Sequence, residues 1–363
     1  MSWSPTESEK EKVKTFIDKL TKEVRDFTRE AGYEAKVVPV GSTAKDTFLA
    51  GDFDVDVFVV SRDYDKLFEL AKYWKPNGHI KRGELLIWNF RENGFDVDLV
   101  FVSPEWEKFG TLRHTEFYRR ALTERDREEI RKAKAFFKTY GVYGAEVGGI
   151  TGIATEELVR KLGSLDDICK AFLEKEHGTW WVQDPTATRK RNLLASINKV
   201  RWEQIQEACS EYLKKRTFEY KPFTHEAFID RHEGERIIWC ERKLDKAVDF
   251  HTSMSVCEKA GRYAKGYEPD VKVSCDAYVG DGIWIAVGVE PPTLPGKKEV
   301  CIPESMTEAI EQFKRMHPDV EMYSKNGYKC ALVPRKVTNL EEFVVNEILK
   351  RMDDRGYKCE LRI

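Results

Sequence analysis

The stretch VGSTAKDTFLAGDFDVDVFVV, residues 40–60, decides the fold, because it places a glycine–serine turn before a strand that carries two aspartates. Gly41 and Ser42 form the turn, and Asp54 and Asp56 alternate with apolar residues in the strand. Side chains two positions apart on a strand point to the same face, so the spacing predicts that both carboxylates project together. A third carboxylate, Asp98, lies in a later apolar strand and is predicted to join them.

Three carboxylates on one face of a small sheet repel one another unless cations lie among them. Carboxylate oxygens select Mg²⁺, with Mn²⁺ as the alternative, and two ions about 3.5 to 4 Å apart stabilise the attacking and leaving oxygens of an in-line displacement. The turn offers backbone N–H groups and a hydroxyl to the phosphates. We therefore predict a two-metal phosphoryl-transfer site in which Asp54, Asp56 and Asp98 are both catalytic residues and metal ligands.

Each part of this pattern also has an ordinary structural explanation. A lone Asp-x-Asp strand is more often the solvated face of a half-buried sheet, and a glycine–serine pair is more often a loop. The turn, the acidic strand and the third aspartate together favour the metal site. Asp96 shares a face with Asp98 and is the main rival for the third ligand. Asp52 lies in a turn, where aspartate is common, and we assign it no chemistry.

The chain divides by pattern into three regions. Residues 1–115 alternate helical and strand patterns, residues 116–216 are helical throughout, and residues 217–363 return to strands mixed with helices, so the predicted fold class is α+β. The expected elements are a helix over 6–31 behind a Thr6-x-x-Glu9 capping box, strands over 36–40, 54–61, 84–90 and 95–102, helices from about 43 and over 63–74, 125–141, 154–163, 164–176 and 191–216, strands over 236–242, 271–279, 282–289 and 329–334, and helices near 251–264, 305–316 and 339–356.

The composition limits the class of protein. The 363 residues are 41% apolar, and 61 basic residues are balanced by 63 acidic ones. This balance argues against a protein that coats nucleic acid and leaves room for an enzyme that grips one end of it. The N-terminus lacks an apolar signal core and no apolar run is long enough to cross a membrane, so we expect a soluble, cytoplasmic protein. The eight cysteines show no CxxC pair and are expected to be reduced thiols.

Four motifs in order resemble one known family. VGSTAKDTFLAGDFDVDVFVV is followed by KAFFKTYGVYGAE at 134–146, TGIATEELVRKLGS at 151–164 and DPTATRKRN at 184–192. This series resembles the class I, archaeal-type CCA-adding tRNA nucleotidyltransferases of the polymerase β superfamily, over residues 35–200 and more loosely beyond. The resemblance implies a polymerase β-like head over 1–115, a helical neck over 116–216 that binds the nucleobase and RNA, and a body and tail over 217–363 that binds RNA.

The resemblance also implies roles at matching positions. Gly41 and Ser42 match the family's phosphate-binding turn, and Asp54, Asp56 and Asp98 match its carboxylates. The resemblance implies further nucleotide-binding positions at Lys45, where the family has arginine, at Thr115, and at Tyr118, where the family has histidine. It also implies that Lys134 and Tyr143 hold the triphosphate and that Arg191 contacts the incoming base.

Taken alone, these side chains have less specific explanations. Lys134 on a charged helix is by default a solvated lysine, and Tyr143 is by default a packing residue. Arg191 is expected at a helix start. The helix after it carries Lys199, Arg201, Lys214, Lys215 and Arg216 together with Trp202 and Tyr212. This basic run is interpreted either as a contact to an RNA backbone or as a solvated face that alternates with glutamates.

Three functions follow from the sequence. The first is addition of CCA to the 3′ end of tRNA or a tRNA-like RNA from CTP and ATP, with two Mg²⁺ ions, no membrane partner and a homodimer left open. The second keeps the chemistry and changes the acceptor, as in a 2′-5′-oligoadenylate or cyclic-nucleotide synthase or an enzyme acting on another small RNA. The third is a catalytically dead RNA-binding relative, which the complete set of carboxylates disfavours because an unused acidic cluster only destabilises a fold.

Overall fold

The computed structural model describes residues 2–81, 85–105, 110–244 and 246–362. The chain folds into two compact units, Met1–Thr224 and His225–Ile363. Residues 217–224 therefore belong with the first unit, whereas the division of that unit into head and neck stays a prediction. In the predicted strand over 84–90, Glu84 lies outside the described residues.

The first unit begins with mixed elements and continues with helices. Its strands are β1 (Lys36–Val40), β2 (Asp54–Val60), β3 (His79–Lys81), β4 (Leu86–Glu92) and β5 (Phe95–Val102). Its helices are α1 (Glu7–Glu30), α2 (Gly41–Lys45), α3 (Tyr64–Trp74), α4 (Thr111–Ala121), α5 (Glu124–Thr139), α6 (Gly152–Leu162), α7 (Leu165–Glu174) and α8 (Lys199–Lys215). The predicted capping box is confirmed, since the Thr6 side chain accepts from the Glu9 amide and the Glu9 side chain accepts from Thr6.

The sheet of the first unit has the order β1-β2-β5-β4-β3, and its central pair, β2 and β5, runs parallel. Odd-numbered residues of the two strands, such as Val57 and Leu99, pack in the core that α1 and α3 cover. Even-numbered residues, such as Phe58 and Val100, pack on the opposite face with Leu112 of α4. The aspartates of β2 and β5 are all even-numbered, so the alternation places them together on this second face.

The helices from α4 to α8 share one apolar core. Tyr118, Ile130, Leu158, Phe172 and Trp202, one from each helix in turn, belong to it, and all are at most 3% exposed. The core follows the helical spacing of the sequence, with apolar positions inside and charges outside.

The second unit combines two sheets with helices. Its elements are α9 (His225–Arg231), β6 (Arg236–Cys240), α10 (Lys246–Ala264), β7 (Lys272–Val279), β8 (Ile283–Glu290), β9 (Lys297–Pro303), α11 (Thr307–Met316), β10 (Met322–Lys325), β11 (Tyr328–Pro334), α12 (Leu340–Asp353) and β12 (Cys359–Leu361). One sheet has the order β12-β6-β8-β7, with α10 and α12 packed on it, and the other has the order β10-β11-β9. The sequence did not predict α9, β9, β10 or β12 in the second unit, nor β3 and α4 in the first unit. Short segments carry too little periodicity for such a prediction.

The predicted helix over 191–216 is wrong in its first part. The helix begins only after Asn198, whose side chain accepts from the Arg201 amide and caps it. Upstream, the Asn192 side chain accepts from the amides of Val182 and Leu194. Asparagine side chains that bond to nearby backbone favour turns and caps over helix interiors, and two of them stop the helix here.

The prediction that all cysteines are reduced is also wrong. Cys240 is bonded to Cys359 and Cys301 is bonded to Cys330, with Cα separations of 4.1 and 4.0 Å. Each pair lies directly opposite in an antiparallel register, β6 with β12 and β9 with β11. The partners are 119 and 29 residues apart in sequence, so their pairing depends on strand register. The other four cysteines are free.

None of the helices in the described ranges combines the length and the apolar character that a membrane crossing requires.

His232 gives the second unit a pH-dependent contact. Its Nδ1 lies 3.1 Å from Glu235 Oε2 and its Nε2 lies 3.2 Å from Asp276 Oδ2. Burial lowers the pKa of His232, but the two carboxylates outweigh it and raise that pKa from 6.5 to about 9. A raised histidine pKa stabilises the fold fully below the unfolded value, and this stabilisation disappears as the pH rises through the folded value.

We therefore expect His232→Gln to lower the free energy of unfolding at pH 6 and to have little effect at pH 10, as measured by urea unfolding of both proteins at each pH. At the higher pH the wild-type imidazole is neutral and glutamine carries no charge at any pH, which is why the two stabilities should converge. An equal loss of stability at the two pH values would show that the ion pairs contribute nothing and that only packing is affected.

Candidate active site

The three predicted carboxylates lie on neighbouring strands of the first sheet. In the parallel register of β2 and β5, Asp54 is opposite Asp96 and Asp56 is opposite Asp98. Directly opposed residues point to the same face, so all four side chains share the face away from α1 and α3. The sequence prediction of one acidic face therefore agrees with the register.

The carboxylates share a face, but their oxygens do not all lie within 4.8 Å of one another. In the described part of the chain, one group of at least three possible metal-ligating side chains has its ligand atoms this close together. It consists of Glu299, Cys301 and Cys330, and the two cysteines are bonded to each other in a disulfide. The oxygens of Asp54, Asp56 and Asp98 therefore do not all lie within this distance of one another.

Asn89 lies on β4, the neighbour of β5 opposite to β2, and donates a hydrogen bond to Asp98. Its Nδ2 donates to Asp98 Oδ1 at 2.8 Å and to Asp96 Oδ1 at 2.5 Å, and the residue is only 7% exposed. The β4–β5 register places Asn89 directly opposite Asp98. An amide group that donates to two carboxylates offsets part of their mutual repulsion. Asn89 therefore stabilises Asp96 and Asp98 side by side on the same face of β5. The sequence analysis did not single out Asn89, although a polar residue inside the apolar run LLIWNF was a signal for it.

The glycine–serine turn lies directly against Asp56. Gly41 has φ of +76°, and a Cβ built on it would be 2.2 Å from Asp56 Oδ2. Glycine is therefore required twice, once for the left-handed backbone and once for the close approach. The turn opens α2, as predicted, although α2 begins at Gly41 and not near Thr43. Oxygen-only donors beside a turn of this kind fit a hard divalent cation that also contacts phosphate.

Lys45 and Lys134 come together on a buried carboxylate, Glu156. Lys45 Nζ lies 2.7 Å from Glu156 Oε2 and Lys134 Nζ lies 3.2 Å from Glu156 Oε1. Both lysines are nearly enclosed, so the default expectation of a solvated Lys134 is wrong. Burial lowers the pKa of Lys134 to about 8, and Glu156 opposes this shift. Burial raises the pKa of Glu156, but the two lysines outweigh it and hold that pKa below its ordinary value.

Tyr143 meets Lys134 at the start of α6. A Cβ on Gly152 would be 2.8 Å from Tyr143 Oη and 3.8 Å from Lys134 Cε, so the missing side chain makes room for both. Burial and the nearby charge of Glu156 raise the pKa of the Tyr143 hydroxyl, which stays protonated. The two residues that the resemblance implied for the triphosphate are therefore neighbours in space.

Thr115 and Tyr118 lie on α4 and are both buried. The Thr115 hydroxyl has no hydrogen-bond partner among the residues that the structure describes, and its nucleotide contact stays a prediction. Tyr118 is 0% exposed, and its hydroxyl donates to Glu157 Oε2 at 3.1 Å. Burial and the charge of Glu157 raise its pKa. The Tyr118 side chain is thus enclosed by the protein, and its nucleotide contact stays a prediction.

Arg191 lies in a non-helical segment next to the bridge between Gln183 and Asn192, and not at a helix start. Its Nη1 lies 3.3 Å from Asp184 Oδ2, and the side chain is 57% exposed. Asp184 itself is enclosed and also contacts His114 Nε2 at 2.9 Å and the Thr186 amide at 2.9 Å. Burial raises the pKa of Asp184, but these partners hold it below its ordinary value. An ionised Asp184 thus orients an exposed guanidinium, whose contact to a base stays a prediction.

The basic run on α8 is a solvated helix face. Trp202 and Tyr212 are 3% and 2% exposed and belong to the helical core, so they offer no stacking surface for RNA. Arg201 is buried and donates to the Val147 carbonyl. Two exposed lysines pair with glutamates on the same helix, Lys199 with Glu203 and Lys215 with Glu211. Of the two interpretations of this run, these ion pairs favour the alternation with glutamates.

A known domain matches the part of the chain that contains most of these residues of the first sheet. Residues 18–95 match the model of a nucleotidyltransferase domain, a range that contains the glycine–serine turn and β2 and ends at the first residue of β5. Asp98 lies three positions beyond it.

The most informative relatives are archaeal. A CCA-adding enzyme of Pyrobaculum islandicum is 31% identical over 195 residues, which are 46% of this chain and 44% of that protein. One from Thermoplasma acidophilum is 33% identical over 189 residues, 47% of this chain and 43% of that protein. Another Thermoplasma acidophilum sequence of the same name is 31% identical over 189 residues, which are 47% of this chain and 83% of that protein.

The chain spans about half the length of the first two of these relatives. The third relative is covered over most of its length at more than 30% identity. Together with the nucleotidyltransferase domain, this similarity shows that the chain belongs to the family of class I, archaeal-type CCA-adding tRNA nucleotidyltransferases of the polymerase β superfamily.

Proposed function

We propose that this chain adds C and A to the 3′ end of tRNA, or of a tRNA-like RNA, from CTP and ATP without a nucleic acid template. The observation that carries the proposal is the register that sets Asp56 beside Asp98 while Gly41 packs on Asp56. A carboxylate pair and a glycine turn on one face of the sheet suit a nucleoside triphosphate with divalent cations. The relatives' name supports the choice of acceptor and nucleotides.

Each side chain then has a distinct task. Asp54, Asp56 and Asp98 would hold two Mg²⁺ ions, for which Mn²⁺ is the alternative. When bound, these cations neutralise the phosphates and lower the pKa of the RNA 3′-hydroxyl. The Gly41 and Ser42 turn places backbone N–H groups and a hydroxyl at the β and γ phosphates. The 3′-hydroxyl gives its proton to solvent and its oxygen bonds to the α-phosphorus. The bond from that phosphorus to the oxygen that bridges to the β-phosphorus breaks, and pyrophosphate leaves.

The remaining predicted residues act on the triphosphate and the base. Lys45 and Lys134 supply positive charge near the triphosphate, and Tyr143 lies beside Lys134 with a protonated hydroxyl. Arg191, oriented by Asp184, contacts the incoming base. An arginine whose carboxylate partner is buried keeps a fixed direction. A protein side chain needs such a fixed direction to select between C and A.

The test is incorporation of labelled CTP and ATP into tRNA that ends at the discriminator base. We expect extension by three nucleotides in the order C, C, A, complete loss of extension on chelation of divalent cations, and recovery on adding Mg²⁺. Controls are tRNA that already ends in CCA and a reaction without RNA. Labelled soluble oligomers without RNA would favour a synthase, extension of another small RNA alone would change the acceptor, and no incorporation at all would indicate a dead relative.

A further inference from the structure

Glu156 is the one fully buried carboxylate among the described residues that joins two predicted nucleotide-binding lysines, and the proposed function gives it no task. It lies in α6 with 0% of its surface exposed. Its Oε2 accepts from Lys45 at 2.7 Å, and its Oε1 accepts from Thr47 Oγ1 at 3.0 Å and from Lys134 at 3.2 Å. A buried carboxylate is tolerated only when it is paired and hydrogen-bonded, and these three donors meet that condition.

The hydrogen bonds of Lys134 are all made inside the protein. Its Nζ donates to the Thr47 carbonyl at 3.1 Å, to Thr47 Oγ1 at 3.0 Å and to Glu156. An ammonium has three hydrogens, so none is left for a phosphate oxygen. In this arrangement Lys134 acts on a triphosphate through its charge and through the segment it holds.

That segment leads to the phosphate-binding turn. The Thr47 amide donates to the Ser42 carbonyl at 2.9 Å, and Lys45 ends the short helix that Gly41 begins. A continuous set of contacts therefore runs from Glu156 through Thr47 to Ser42. One carboxylate between two ammonium groups also leaves a net charge of about +1, which favours an anion at the turn.

We propose that Glu156 is a positioning residue for the nucleoside triphosphate: it fixes Lys45, Thr47 and Lys134 so that the Gly41 and Ser42 turn is held ready for the phosphates. This inference rests on the proposed function for the use of that turn. Glu156 itself touches no reacting atom.

The test compares binding of MgATP and MgCTP to the full-length protein, without RNA, in wild type and Glu156→Gln. The amide is nearly isosteric and can still accept from Thr47, but it removes the charge that holds two buried ammonium groups together. We expect both dissociation constants to rise about tenfold or more. In the RNA extension assay, KM for the nucleotide should rise while kcat changes less, because uniform binding is lost.

Two further variants separate positioning from simple destabilisation. Asp249→Asn removes another carboxylate with 0% exposure, one that accepts from Tyr357 Oη at 2.9 Å in the second unit. It should lower the melting temperature and leave nucleotide binding unchanged. Glu156→Asp retains the charge and should recover part of the lost affinity. It also keeps the inference testable if Glu156→Gln does not fold.

The pH dependence gives a readout that a structural role would not produce. Besides Glu156, the charges that act on Lys134 are those of Lys45 and Lys138, which lower its pKa. Loss of Glu156 lowers the pKa of Lys134 further, so at any given pH a larger fraction of this lysine is neutral in Glu156→Gln than in wild type. The affinity of the variant for MgATP should therefore recover towards that of wild type as the pH falls from 8 to 6.

The outcomes distinguish this inference from the proposed function. If wild type binds nucleotide but extends no RNA, the proposed function is wrong and the effect of Glu156→Gln on binding still decides the inference. Equal nucleotide affinity in wild type and Glu156→Gln, with a lower melting temperature only, would reduce Glu156 to a structural ion pair. A wild-type protein that binds neither MgATP nor MgCTP would overturn both.

Discussion

Replacing Asp98 with asparagine is expected to lower nucleotide incorporation by roughly 10³-fold or more, which corresponds to about 4 kcal/mol of transition-state stabilisation. Asp98 lies opposite Asp56 in the parallel register, on the neighbouring strand. Asparagine has almost the same shape but offers one neutral oxygen, so it holds a divalent cation poorly. The measurement is the single-turnover rate of labelled CTP addition to tRNA at saturating Mg²⁺.

Asp96→Asn is the matched control for this change. Asp96 lies on the same strand and face, two residues away, and contacts the same amide nitrogen of Asn89. It lies opposite Asp54 and not Asp56. We expect Asp96→Asn to retain most activity and both variants to melt within a few degrees of wild type. If Asp96→Asn were the inactive protein, Asp96 would be the third ligand and the role given to Asp98 would be wrong.

Gly41→Ala is expected to reduce incorporation by roughly a hundredfold or more, because the new methyl group would occupy the place of Asp56 Oδ2. The built Cβ lies 2.2 Å from that oxygen and 3.2 Å from Asp56 Cγ. Either the carboxylate turns away or the turn moves off the sheet, and both changes separate the metal ligand from the phosphate-binding turn. Alanine at φ of +76° also costs about 1 to 2 kcal/mol of stability.

Gly32→Ala separates the backbone strain from the steric clash. Gly32 has φ of +79°, and a Cβ there would meet nothing within 4 Å. The two variants should therefore lose similar amounts of stability in urea unfolding, while Gly32→Ala keeps its rate of CTP addition. Comparable activity in Gly41→Ala and wild type would show that the turn does not need its close contact with Asp56.

The local elements were predictable because their signals are local. The capping box at Thr6, the strand at 36–40 and the acidic strand from Asp54 follow from periodicity and caps over a few residues. The acidic face followed as well, since alternation alone fixes which side chains share a face. The helix predicted over 191–198 was wrong because asparagine side chains bond to the backbone there and override the apolar spacing.

Other site features depend on pairs of residues far apart in sequence. Glu156 meets Lys45 across 111 residues, and His114 meets Asp184 across 70. A charged residue in a helical pattern is by default solvated, so nothing in the sequence indicated that Lys134 and Glu156 would be buried together. The same reason explains Trp202 and Tyr212, whose aromatic rings suggested an RNA surface and instead fill the helical core.

The sequence by itself determined the order of the parts: a turn that only glycine permits, then a strand with two same-face carboxylates, then a third carboxylate in a later strand. Backbone conformation and side-chain alternation depend on neighbouring residues, so these features are readable from spacing. The tertiary structure alone decided which carboxylate lies opposite Asp56 and which cysteines pair. It also decided that Glu156 forms ion pairs with both Lys45 and Lys134. Those outcomes depend on strand register and on which helices pack together, and both are set by contacts between distant segments.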